Sequence, residues 1–299
     1  MTRIARLLLA LLLCAASHAI AAGFTFAAFG DAPYTAAEEA QFTRIIAAMN
    51  REPLAFVIHA GDFKSGWAPC TDALYVQRRD GFAQSQHPLI IVPGDNDWTD
   101  CWRPSSAPSD PVERLQQLRQ LFFAHGHALG QRKIALARQN AAYPEHARWE
   151  HGGVVFATLN VPGGDNNARL PRESAARTNA VNAWIAETFR AARTQSRGAV
   201  VLTMQANPWS LGGGVRRGYQ GIMATITRET LRFDGEVLLI HGDTHRQRID
   251  KPLIDPRTRK PLPNFTRLEV FGSPQVNWLR VQVSRQNGRF GFSVTPGSP

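Results

Sequence analysis

Four aspartates in this chain each follow a glycine at the end of a short apolar run. Asp31 comes after the run from Phe24 to Phe29, Asp62 after Ala55 to Ala60, and Asp95 after Leu89 to Val92. Asp243 comes after Val237 to Ile240, through His241 and Gly242. In open α/β sheets, ligands bind in the crevice beyond the carboxyl ends of the strands. A glycine there lets the chain turn sharply, so that the next side chain points into the crevice. One Gly-Asp is ordinary turn chemistry; four in the same strand-end setting describe a carboxylate cluster. Two like charges roughly 4 Å apart repel by about 4 kcal/mol at an effective dielectric near 20. Such a cluster therefore needs cations or strongly raised pKa values. Two divalent ions would balance four aspartates in formal charge, and a metal centre is the simpler solution.

The elements that must carry these residues alternate from the start. Helical patterning from Glu38 to Met49 puts Phe42, Ile45, Ile46 and Met49 on one face. Asp110 and Glu113 make a capping-box-like start with Pro111 at the first helical position, and Val112, Leu115, Leu118 and Phe122 follow on one face. Val154 to Leu159 and Ala199 to Met204 read as strands. Glu173 to Arg193 reads as a helix with Val181, Trp184, Ile185 and Phe189 in one stripe. Leu268 to Phe271, Leu279 to Val283 and Phe290 to Val294 are short strands without intervening helices. This order predicts an α/β chain in which two packed mixed β-sheets are flanked by helices.

The strand-end motifs resemble those of the calcineurin-like metallophosphoesterases over nearly the whole chain that follows the leader. That family's pattern is D-x-H, G-D, G-N-H-D/E, an isolated His and G-H-x-H. The corresponding stretches here are Asp31-Ala32-Pro33, Gly61-Asp62, Gly94-Asp95-Asn96-Asp97, Gln205, and Gly242-Asp243-Thr244-His245. The resemblance implies a four-layer αββα sandwich holding two divalent ions. Asp31, Asp62 and His245 would hold one ion. Asp62, Asp95, Gln205 and Asp243 would hold the other, with Asp62 bridging. Pro33 stands where a ligand histidine is usual, and Gln205 and Asp243 replace two more. Oxygen donors with a single imidazole suit Mn²⁺ or Mg²⁺, and Ca²⁺, Fe and Zn²⁺ are the alternatives. The implied chemistry is phosphoester hydrolysis. Asn96 occupies the place of the histidine that protonates the leaving group. His241 is a candidate substitute acid, with a buried structural histidine as the other reading.

Lys64 and Arg103 flank the second and third motifs and are candidates for binding substrate phosphate or for neutralising the aspartates. Trp67, Trp98, Trp102 and Trp209 lie in or near the motif loops, where rim packing is the expected role.

At the start of the chain, Arg3 and Arg6, the apolar run from Leu7 to Leu13 and Ala19-Ile20-Ala21 describe a secretory signal peptide over residues 1–21. The run is too short for a bilayer-spanning helix of about 20 apolar residues. Removing 21 of 299 residues leaves 278, one domain (residues 22–299), and removing two arginines takes the formal charge from +10 to +8. That balance favours anionic partners. A periplasmic or extracellular address is expected. Two cysteines remain, Cys70 and Cys101, and an even count in an exported chain suggests a disulfide, with two free buried thiols as the alternative. Signatures of specific nucleic-acid recognition are absent. No transmembrane segment follows the leader. The expectation is an exported, monomeric metallophosphoesterase acting on a phosphorylated small molecule. A catalytically inactive binding module on the same fold is the alternative.

Overall fold

Strands β1 (Phe24–Phe29), β2 (Val57–His59) and β3 (Leu89–Ile91) lie parallel in one sheet, each pointing its carboxyl end the same way. The computed structural model describes residues 23–298. The signal peptide expected at residues 1–21 lies outside them. The antiparallel strands β11 (Leu279–Gln286) and β12 (Arg289–Pro296) complete this sheet in the order β12-β11-β1-β2-β3. The second sheet is built on β6 (Val154–Thr158), β7 (Ala199–Thr203), β8 (Glu236–His241) and β10 (Phe265–Glu269), all parallel. It is edged by β4 (Ala137–Arg138), β5 (Ala147–His151) and β9 (Arg248–Asp250) in the order β4-β5-β6-β7-β8-β10-β9.

Period-2 alternation sorts the core into three layers. Phe26, Ile58, Phe156, Val201 and Leu238 from both sheets meet in the central layer. Ala27, Phe29 and Val57 face outward onto α1 (Ala36–Asn50), α2 (Asp72–Ala83) and α3 (Pro111–Phe122). Val200, Leu202 and Leu239 face outward onto α5 (Pro171–Thr194) and α6 (Gln220–Leu231). Strands buried on both faces read as unbroken apolar runs, as these do. The result is the four-layer αββα sandwich.

Helix starts follow local chemistry. The Thr35 hydroxyl accepts from Glu38 N–H, that of Thr71 from Leu74 N–H, and the Asp110 carboxylate from Val112 and Glu113 N–H. Helices α2 and α6 have no counterpart in the sequence expectation. The core stripe of α2 is Tyr75, Arg78 and Phe82, interrupted by an arginine whose guanidinium pairs with Glu39. Helix α6 is rich in β-branched residues, which blur helical and strand patterning. Among the described residues, no helix is long and apolar enough to cross a membrane.

Candidate metal centre

The loops that leave β1, β2 and β3 meet those that leave β7 and β8, and the four glycine-led aspartates come together where they meet. Asp31, Asp62, Asp243 and His245 all adopt positive φ, between 49° and 80°. Non-glycine residues held in this region are uncommon and gather at functional sites. At two motif glycines the requirement is room, not a turn, since neither Gly94 nor Gly242 has positive φ. A Cβ on Gly94 would lie 2.0 Å from Asp62 Oδ1, and one on Gly242 would lie 2.1 Å from Asp31 Oδ2.

Backbone groups hold the carboxylates in place. Both oxygens of Asp31 accept from Asp243 N–H, at 3.2 and 3.0 Å. Asp62 Oδ1 accepts from Asn96 N–H at 3.0 Å, and Asp243 Oδ2 from Asn207 N–H at 2.9 Å. Asp97 serves the loops. Its carboxylate accepts from the N–H groups of Asp62, Phe63 and Gly94, at 2.8 to 3.0 Å, and so ties the second motif to the third. Cys70 and Cys101 form the disulfide expected from the sequence, a second tie between the same two loops.

The cluster is electrostatically uncomfortable. Burial drives the Asp31 and Asp62 carboxyls well above the ordinary 3.8, and the neighbouring aspartates push the same way. Asp243 is pushed up to about 7 by burial and then by Asp95, and Asp97 to about 7 by burial. Lys64 relieves this only at a distance, its charge drawing the Asp97 pKa down without an ion pair to any of the four aspartates. Its side chain is buried and its ammonium donates to the Ser65 and Ala68 carbonyls, at 3.0 and 2.9 Å, so it is closed to a substrate. Arg103 pairs with Asp100 at 2.7 Å, and its guanidinium lies with the Asn96 side chain against Gly66 at the mouth. Among the described residues, neither cation pairs with Asp31, Asp62, Asp95 or Asp243.

These donors fit divalent cations. Four carboxylates, two of them buried (Asp31 and Asp62) and two half-buried (Asp95 and Asp243), supply hard oxygen ligands and the negative charge that cations offset. His245 directs Nδ1 at the Ser273 carbonyl, 2.7 Å away, which leaves Nε2 free. Among the described residues, no three His, Cys, Asp or Glu side chains yet close around one point as a coordination sphere. The carboxylates engage N–H groups instead.

His241 stands apart from the site, which corrects its assignment as a candidate acid. Alternation along β8 sends it to the outer face with Val237 and Leu239, where its ring packs 6.0 Å from Trp209. Burial lowers its pKa to about 3, so near neutrality the ring is uncharged and lacks the imidazolium proton that a general acid would give. Of the motif tryptophans, Trp98 and Trp209 are buried, while Trp67 is exposed and Trp102 half-exposed.

Tyr34 belongs to the site although no motif marks it. Its hydroxyl accepts from Asn96 Nδ2 at 3.0 Å and donates to Asp62 Oδ2 at 3.2 Å, and its ring meets His245 edge-on. Its position three residues after Asp31 was the only available signal. A hollow of about 830 Å³ beside Phe24, His87 and Arg132 lies at the opposite end of the strands, away from these residues.

No family model matches the chain, and no curated protein matches it. Solved structures do. PhoD superposes over 92% of this chain and 68% of its own, with a TM-score of 0.55 at 12% identity. The purple acid phosphatase PPD1 from yellow lupin (Lupinus luteus) seeds superposes over 87% of this chain and 49% of its own, with a TM-score of 0.56 at 12% identity. This chain therefore spans about two thirds of the first protein and half of the second. Vps29 from Cryptosporidium parvum also matches, at a TM-score of 0.35, too loosely to carry weight. With its two packed mixed sheets and flanking helices, the chain has the calcineurin-like metallophosphoesterase fold.

Proposed function

We propose that this protein is a divalent-metal-dependent phosphoesterase that hydrolyses a phosphorylated small molecule. One observation carries the proposal: four aspartates, Asp31 and Asp62 buried and Asp95 and Asp243 half-buried, converge at the strand ends, and among the described residues no lysine or arginine pairs with them. Asp31, Asp62, Asp95 and Asp243 would hold the cations together with Nε2 of His245. Oxygen-rich ligation favours Mn²⁺ or Mg²⁺. When bound, such ions act as Lewis acids on a phosphoryl group.

The chain's own groups bind and orient the substrate. Arg103, at the mouth, draws an anionic substrate toward the centre. Tyr34 fixes the Asn96 amide, whose second N–H is available to a substrate oxygen. Asn96 cannot supply a proton as a histidine would, so substrates with good leaving groups suit this centre best. The disulfide supports an oxidising, exported location.

The test is the metal content of the purified protein, with calorimetric titration of Mn²⁺, Mg²⁺, Ca²⁺ and Zn²⁺ into wild type and Asp62→Asn, and hydrolysis of p-nitrophenyl phosphate mono- and diesters. Binding and turnover that both disappear in Asp62→Asn support the enzyme. Binding without turnover points to a binding module on the same fold. A wild type that takes up no ion and turns over no ester overturns the proposal.

A further inference from the structure

Gln205 follows β7 by two residues, in the place where the family resemblance expects a ligand histidine. Its side chain is fully buried, and both ends of its amide have partners. One end lies 2.6 Å from the backbone nitrogen of Gly163, and the other lies 3.1 Å from Asp62 Oδ2. The types of these partners decide which end is which. The Gly163 partner settles it: a backbone N–H only donates, so Oε1 faces Gly163 and the NH₂ group faces Asp62. The reversed amide would set N–H against N–H. The orientation therefore follows from the partners and not from an oxygen–nitrogen label.

Gly163 cannot easily move away. It opens a left-handed turn, α4 (Gly163–Asn167), in which Gly164, Asp165 and Asn166 all have φ near 55–60°. Glycine, aspartate and asparagine are the residues that tolerate this conformation. The buried Arg177 clamps the turn from α5, donating to Asn166 Oδ1 at 2.6 Å, the Asn166 carbonyl at 3.2 Å and the Asn160 carbonyl at 3.0 Å. Tyr219 closes the other side. Its hydroxyl accepts from Asn166 N–H and donates to the Pro162 carbonyl, both at 3.1 Å. The main chain of Gln205 is pinned as well, its carbonyl accepting from Gly242 N–H at 3.0 Å.

We propose that Gln205 is a hydrogen-bond donor within the centre and not a ligand of it. Its amide N–H engages Asp62, and ligation falls to the four aspartates and His245. A neutral donor then stands where the family pattern has a ligand. It offsets part of the Asp62 charge, and one of the two cation positions is left a ligand short. This inference rests on the metal-dependent function proposed above for the second of its two measurements only.

The first measurement is made on metal-free, ¹⁵N-labelled protein. The side-chain NH₂ pair of Gln205 is identified as the pair missing from Gln205→Met. One of its protons shifted downfield and exchanging slowly is the expected result. A pair at free-amide positions would overturn the inference, whether or not the protein binds metal. The second is a crystal structure of the protein soaked in Mn²⁺, read by anomalous scattering. The ion is expected on carboxylate oxygens and His245, with Gln205 Oε1 still on Gly163 and more than about 3 Å from the ion. An Oε1–ion distance inside the ligand range of about 2.0–2.6 Å overturns it.

Discussion

Nδ1 of His245 lies 2.7 Å from the carbonyl oxygen of Ser273. A carbonyl only accepts, so in the neutral ring Nδ1 carries the proton and the Nε2 lone pair is left for the centre. Ser273 is itself held. Its hydroxyl donates to Glu38 Oε1 at 2.7 Å, and the other Glu38 oxygen accepts from Tyr34 N–H at 2.7 Å. Glu38→Ala removes both anchors without touching any proposed ligand. Because the Ser273 carbonyl itself is retained, the variant is expected to weaken divalent-ion binding by up to about 10-fold, the lower end of the effect of losing an outer partner outright. Calorimetric titration with Mn²⁺ checks this.

Asp97 is expected to matter for stability in a way that depends on its two oxygens. Asp97→Ala leaves three buried N–H groups, those of Asp62, Phe63 and Gly94, without their acceptor. An unsatisfied buried donor costs about 1–3 kcal/mol, so Asp97→Ala should destabilise by at least about 3 kcal/mol in urea unfolding. Asp97→Asn keeps one acceptor oxygen and should fall between this variant and wild type.

The pH dependence of the metal-free protein carries a sign. The Asp243 pKa is raised from 3.8 to about 7, so the folded state holds its proton more tightly than the unfolded chain does. The stability linked to that proton is fully present below about pH 4 and is lost as pH rises through 7. Relative to Asp243→Asn, which cannot ionise there, wild type should lose stability across this range in urea titrations with EDTA. The comparison cancels the buried His59 and His241, both lowered to about 3 by burial and titrating in the opposite sense. Parallel pH profiles for the two proteins would contradict this account, and Mn²⁺ should flatten the wild-type slope.

Reduction of the disulfide tests the other tie between the motif loops. Cys70 and Cys101 are 31 residues apart, and closing a loop of that length is worth about 3–4 kcal/mol on the chain-entropy view. A Cys70→Ala/Cys101→Ala double variant should unfold at correspondingly lower urea. Its profile should be unaffected by dithiothreitol, whereas reductant should move wild type toward it.

Much of the architecture was legible because strands buried on both faces are continuous apolar runs, and because Gly94 and Gly242 mark where a carboxylate comes too close for any Cβ. Three kinds of feature were not. Helix α2 was hidden because Arg78 interrupts its core stripe, and its ion pair with Glu39 joins elements far apart in sequence. Tyr34 acts through contacts 28 and 62 residues away, with Asp62 and Asn96, that no local pattern encodes. The run Gly163-Gly164-Asp165-Asn166-Asn167 has the composition that tolerates left-handed backbone, but composition does not reveal that Arg177 fixes it. His241 is the instructive error. Its place beside the closing motif suggested chemistry, while counting by twos along β8 from Val237 would have set it on the outer face.

The ties among the site loops also bear on how a substrate is met. Asp97 and the disulfide weld the loops after β2 and β3 into one piece. The hydrogen bonds from Gly242 to Gln205 and from Asn207 to Asp243 weld those after β7 and β8 into another. The two pieces meet through Asp31 with Asp243, Asp62 with Gln205, and Arg169, whose guanidinium stacks 3.7 Å from the centre of the Trp102 ring. With both sides tied from within, the width of the mouth follows the seating of the two sheets. On the proposed function, selection among substrates would fall to shape at this entry.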